Sequence, residues 1–131
     1  MNDLTDRDIL LIDDNLSNLQ VLTQMLTGEG YKVRRARDGE TGLKVGQVLP
    51  PELILLDIRM PGIDGFEVCK KFKDEPKTGH IPIIFISALE EAGEKIKAFE
   101  VGGVDYITKP FQGEEVLARV KTQSHALQTA T

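Results

Sequence analysis

A single cysteine, Cys69, leaves the chain no internal disulfide framework and no metal site built on several thiolates. It lies in the helical stretch GFEVCKKFK and reads as a small buried hydrophobe. Positive charge is also short. Sixteen Lys and Arg face 21 Asp and Glu, a net charge of -5, which argues against direct nucleic-acid binding, because phosphates need a basic face. The one basic cluster, Lys32, Arg34, Arg35 and Arg37, is short, falls in a strand and its exit, and reads as solvated surface. No apolar run approaches the length of a membrane span. The opening MNDLTDRD is polar and acidic, unlike a secretion signal. The expectation is a soluble, cytoplasmic chain without membrane contact. Internal repeats, low-complexity segments and interdomain linkers are lacking too. What is present suits one domain: 131 residues, 40% of them hydrophobic, enough for a real core.

The apolar residues alternate between two periodicities. DILLID (Asp8 to Asp13), YKVRRA, ELILLD, IPIIFIS and VDYIT have strand length and character. Between and after them run five helical stretches. NLSNLQVLTQMLTGEG spaces Leu16, Leu19, Leu22 and Leu26 for one face; DGETGLKVGQVL has Asp38 as a cap but is weakened by interior glycines. DGFEVCKKFKDE puts Phe66, Cys69 and Phe72 on one side, with Asp64 and Gly65 at its start. EEAGEKIKAFEVG stops at Gly102 and Gly103, and QGEEVLARVKTQSHALQ closes the series. Strands apolar on both faces, separated by helices, predict an α/β domain with a doubly wound parallel sheet covered on both sides.

In such sheets ligands bind beyond the carboxyl ends of the strands. Those exits carry Asp13 and Asp14, then Asp38, then Asp57, then Ser87, then Lys109 and Pro110. If the first and third strands are neighbours, Asp13, Asp14 and Asp57 converge and repel one another. Lys109 offsets one charge and a divalent cation the other two, and hard oxygen ligands of this kind suit Mg²⁺ or Mn²⁺. A hydroxyl, an ammonium and a metal are means of holding phosphoryl oxygens, and a carboxylate among them can be a nucleophile. Asp57 stands where that nucleophile belongs, with Met60, Pro61 and Gly62 turning the chain away behind it.

LLIDDN, LILLDIRMPGIDGFE, IIFISA and DYITKPF, in this order, resemble the receiver domain of two-component response regulators, from about Asp8 to about Thr122. The resemblance implies a flavodoxin-like, five-stranded parallel sheet of order 2-1-3-4-5 with five helices. It implies a receiver over residues 1–124, with residues 125–131 as a helix end, a tail or a linker to an absent output domain. It implies that Asp57 accepts a phosphoryl group from the phosphohistidine of a sensor kinase or histidine phosphotransfer protein, in a Mg²⁺-dependent transfer that the domain itself catalyses and reverses without being an enzyme in the ordinary sense. Asp14 and Asp57 would ligate the ion by their side chains and Arg59 by its backbone carbonyl, with Asp13 acting through water. Lys109 would pair with Asp57 and then with the phosphoryl group. Ser87 would hydrogen-bond it, and Tyr106 would turn as the switch aromatic. The Lys109–Pro110 bond would be cis. The output face would be the fourth helix, fifth strand and fifth helix, with dimerisation through it on phosphorylation. Ser87 stands where Thr is commoner. Arg59 and Leu89 occupy positions that vary in the family, and their bulk is expected to hinder attacking water and lengthen the phosphorylated state.

Other readings compete. Asp14 before NLSN could be a helix cap, Asp57 a turn residue, Ser87 a strand-end hydroxyl, Lys109 a surface lysine and Tyr106 a strand tyrosine without a switching role. His80 is expected on the surface, and His125 in SHALQT reads as a solvated helix residue, lacking the acidic residue and proline that follow a kinase's phosphorylated histidine. A Mg²⁺-dependent aspartyl-phosphate phosphatase would need an Asp-x-Asp motif and a cap, and adjacent Asp13 and Asp14 do not supply the first. A flavin-mononucleotide module would need a phosphate loop where DDNLSN is acidic. A pseudo-receiver that binds partners without phosphorylation is the remaining alternative.

Overall fold

The computed structural model describes residues 7–88 and 92–130, with side chains for residues 7–88 and 93–123. Strands and helices alternate as β1 (Asp8–Ile12), α1 (Leu16–Gly28), β2 (Lys32–Ala36), α2 (Gly39–Val48), β3 (Leu53–Asp57), α3 (Gly65–Asp74), β4 (Ile83–Ser87), α4 (Ala92–Glu100), β5 (Asp105–Thr108) and α5 (Gly113–Ala130). The strands form one sheet in the order β2-β1-β3-β4-β5, all pairs parallel. This is the architecture the alternating pattern and the family resemblance imply.

Period-two alternation along each strand divides the core between the two faces of the sheet. Leu10, Ile12, Ile54, Leu56, Ile83 and Phe85 meet Leu43 of α2, Val68, Cys69 and Phe72 of α3, and Ala98 of α4. Ile9, Leu11, Leu53, Leu55, Ile84 and Ile86 meet Leu19, Leu22 and Leu26 of α1 and Val116 and Val120 of α5. With both faces covered, β3 and β4 are buried throughout, which is why they read as unbroken apolar runs.

Three local expectations change. Leu16, on the expected apolar face of α1, is 49% exposed, so only Leu19, Leu22 and Leu26 seat that helix. The interior glycines of α2 do not weaken its place. A Cβ at Gly42 would stand 2.5 Å from Ile12 Cδ1, and one at Gly46 would stand 2.7 Å from Phe72 Cε1. Glycine there lets the helix backbone lie against the core, while Val48 and Leu49 are left exposed. Arg34 of the basic cluster is not merely solvated. It forms a two-pronged pair with Asp8 (3.1 and 2.8 Å) and donates to the Leu49 carbonyl at 2.7 Å.

Candidate functional site

Because all five strands are parallel, their exits lie along one edge, and chain polarity alone delivers the candidate residues there. At the end of β1 the Asp13 N–H continues the ladder, donating to Ala36 O at 3.1 Å. The Asp13 carboxylate is buried and accepts from the Asn15 N–H (2.9 Å) and Asn18 Nδ2 (3.4 Å). The cap of α1 is Asn15, whose side chain accepts from the Asn18 N–H at 3.0 Å. Asp14 is therefore not the helix cap, and it remains half-buried beside the cluster.

β3 delivers Asp57, which is only 6% exposed. Behind it Gly62 adopts φ +82, which an L side chain rarely tolerates. Asp64 then caps α3 by accepting from the Glu67 N–H at 3.0 Å. The first residue of α3 presses on the strand end: Gly65 N–H donates to Ile58 O at 2.7 Å, and a Cβ there would collide with the Asp57 carbonyl oxygen. From its sequence position Gly65 is only a helix start, whereas the close approach to the Asp57 and Ile58 backbone explains why nothing larger fits.

Ser87 closes β4 and is fully buried. Its carbonyl accepts from the Lys109 N–H at 2.7 Å, and the Lys109–Pro110 peptide is cis. The Lys109 ammonium reaches both buried carboxylates, 3.2 Å from Asp13 Oδ2 and 3.5 Å from Asp57 Oδ1. The expected pairing with Asp57 is thus shared with Asp13, which is slightly nearer. Tyr106 is buried in β5, with Lys95 Nζ 6.0 Å from its ring centroid. Arg59 points its guanidinium to Glu94 of α4, with Nη2 3.2 Å from Oε2. Leu89 and the His125 side chain lie outside the described residues, and His80 is exposed ahead of β4.

One ligand oxygen from each of Asp13, Asp14 and Asp57 lies within 4.8 Å of the others. Three carboxylates against one ammonium leave an excess of two negative charges when all are ionised. Asp57 bears the consequence: burial first, then the neighbouring Asp13, push its carboxyl up from 3.8 to about 7; Lys109 pulls it down and Asp14 adds to the rise. Hard oxygen donors, a two-charge excess and a half-exposed Asp14 fit a small divalent cation, which would neutralise the cluster. Two residues of this neighbourhood were not singled out from sequence. Asn18 was hidden inside a helical pattern, although its spacing from Asn15 marks a cap. Glu94 lies far from Arg59 along the chain and gives no local signal.

Residues 9–121 match the family model described as response regulator receiver domain. The chain is 45% identical over 114 residues to the response regulator PleD of Caulobacter vibrioides, covering 87% of this chain and 25% of PleD. It is 41% identical to the DNA-binding dual master transcriptional regulator RpaA of Synechocystis sp., covering 86% of this chain and 47% of RpaA. The chain thus spans only a quarter to a half of these relatives. The crystal structure of a two-component response regulator from Clostridium difficile superposes with a TM-score of 0.86 at 29% identity, covering 92% of this chain and 97% of that one. With the acidic cluster at the exits of β1 and β3 and this match over nearly its whole length, the chain belongs to the receiver domain family of two-component response regulators.

Proposed function

We propose that this domain is a phosphoacceptor switch in which Asp57 takes a phosphoryl group from the phosphohistidine of a sensor kinase or histidine phosphotransfer protein. The observation that supports it best is the placing of Asp57, buried, against two further carboxylates and 3.5 Å from the Lys109 ammonium. A carboxyl with its proton affinity raised in this way becomes an ionised nucleophile once the surrounding negative charge is neutralised. Asp14 and Asp57 would hold Mg²⁺, or Mn²⁺ in its place, together with the Arg59 backbone carbonyl, and Asp13 through water. When bound, the ion supplies positive charge to the phosphoryl oxygens.

The chain's own groups do the rest. One Asp57 carboxylate oxygen bonds to phosphorus as the P–N bond to the donor imidazole breaks; the electron pair leaves with the imidazole, which takes up a proton. Lys109 exchanges its carboxylate partners for the phosphoryl oxygens, and the Ser87 hydroxyl donates to one of them. Hydrolysis reverses the state when water attacks phosphorus and the Asp57 carboxylate leaves. The phosphoryl group adds roughly two negative charges. The resulting pull on Ser87 and Lys109 shifts the β4–α4 loop, α4 and Tyr106, and the face of α4, β5 and α5 carries the output, by contact with an output domain or by dimerisation. We assign residues 1–124 to the receiver, acting in the cytoplasm, and residues 125–131 to the helix end or a connection.

Intact mass after incubation with Mg²⁺ and acetyl phosphate tests the reading. One added phosphoryl group, absent in Asp57→Asn and lost on chelation, is expected. No addition under any metal condition, from acetyl phosphate or a phosphorylated histidine donor, would leave a partner-binding domain without phosphotransfer.

A further inference from the structure

Helix α4 is lightly anchored. Ala98 alone among its described side chains is fully buried, whereas Ile96 and Phe99 are 58% and 45% exposed. α3, by contrast, buries Phe66, Val68, Cys69 and Phe72. Much of what ties α4 to the body is polar. Lys97 Nζ stands 4.7 Å from the Phe66 ring centroid, and Lys95 Nζ lies 6.0 Å from that of Tyr106. The third tie is Glu94, in the first turn, bonded to Arg59 in the loop that leaves Asp57.

That pair is lopsided. The Glu94 side chain is 13% exposed and the Arg59 side chain 68%. Glu94 Oε2 takes the Arg59 guanidinium, while Oε1 is buried without a hydrogen-bond partner among the described residues. A carboxylate half satisfied in a sheltered position is costly. Arg59 therefore keeps Glu94 where it is, and Glu94 in turn decides where the long Arg59 side chain lies. Both line one groove with Met60, Asp64 and Phe66, so the pair spans from the β3–α3 loop to α4.

We propose that Glu94 is a positioning residue acting through Arg59: the ion pair ties the loop beside Asp57 to the first turn of α4, so that the two move together and the Arg59 side chain is held at the mouth of the site. The consequence for reaction rests on the phosphoacceptor reading, since a held Arg59 would limit the approach of water to phospho-Asp57. The tie itself does not depend on phosphorylation. An ion pair whose Arg59 partner is open to solvent supports a two- to fivefold effect, of about the size that solvent-screened pairs carry.

The test begins with hydrogen exchange in the unphosphorylated, metal-free full chain. Glu94→Gln and Arg59→Gln should each speed exchange about two- to fivefold in both the 58–64 loop and α4, leaving α1 and α5 unchanged. Arg59→Lys should stay near wild type, and the exchanged pair Arg59→Glu with Glu94→Arg should recover toward it. Changes confined to the mutated element would overturn the tie. In the phosphorylated protein, each glutamine variant should shorten the phospho-Asp57 half-life about two- to fivefold, and the double variant no further than either. Linked exchange with an unaltered half-life would overturn the positioning role. A wild-type chain that takes no phosphoryl group would instead refute the phosphoacceptor reading, and the exchange data would still decide the tie.

Discussion

In the metal-free protein Asp57 keeps its proton to about pH 7, because burial and the neighbouring Asp13 oppose its ionisation. Its folded-state affinity for the proton exceeds the unfolded one, so the stability linked to it is fully present below about pH 4. That contribution is lost as pH rises through about 7. Urea unfolding with chelator should therefore show a loss of a few kcal/mol between pH 4 and pH 8 that Asp57→Asn does not share. Lys109→Met should push the Asp57 carboxyl higher still, since the ammonium opposes its rise. An NMR titration of the Asp57 carboxyl carbon reads that shift, and phosphoryl transfer from acetyl phosphate should fall in the same variant. At this scale the carboxylates, Ser87 and Lys109 were legible because strand exits are identifiable from periodicity alone. The share of Lys109 between Asp13 and Asp57 was not, since a difference of 0.3 Å belongs to packing.

Two elements are joined at Gly65, where the start of α3 meets the end of β3. Gly65→Ala places a methyl group against the Asp57 carbonyl oxygen and 2.8 Å from Ile58 Cα, both backbone atoms that yield little. A loss of about 1–3 kcal/mol is expected in chemical denaturation, with slower phosphorylation because the strand end must shift. Asn15→Ala removes the cap of α1 and should cost about 1 kcal/mol. It leaves the Asp13 interactions with Lys109 in place, so phosphorylation should change less than in Gly65→Ala. α2 shows why element-level reading failed in part. Its seat on the sheet is made by Gly42 and Gly46 as much as by Leu43, and a glycine has no hydrophobicity for a pattern to register.

For the whole molecule, an acidic cluster that favours a cation must make the folded state more stable when the cation is present. Mg²⁺ at about a hundred times its dissociation constant should add about 2.7 kcal/mol at neutral pH, seen as a raised melting temperature. The gain should shrink in Asp57→Asn and at pH 5, where the proton competes for the carboxyl. An equal gain in both proteins would place the ion elsewhere.

The order of strands and helices, the two-sided burial of the sheet and the set of groups at its edge followed from the sequence by itself. Each depends on local periodicity, chain polarity and side-chain chemistry, which neighbouring residues carry. The tertiary structure alone decided that glycines seat α2 and that Arg59 reaches Glu94. Those depend on which surfaces meet after the chain crosses over, where atoms 35 residues apart come within 3.2 Å and no short-range pattern records the meeting.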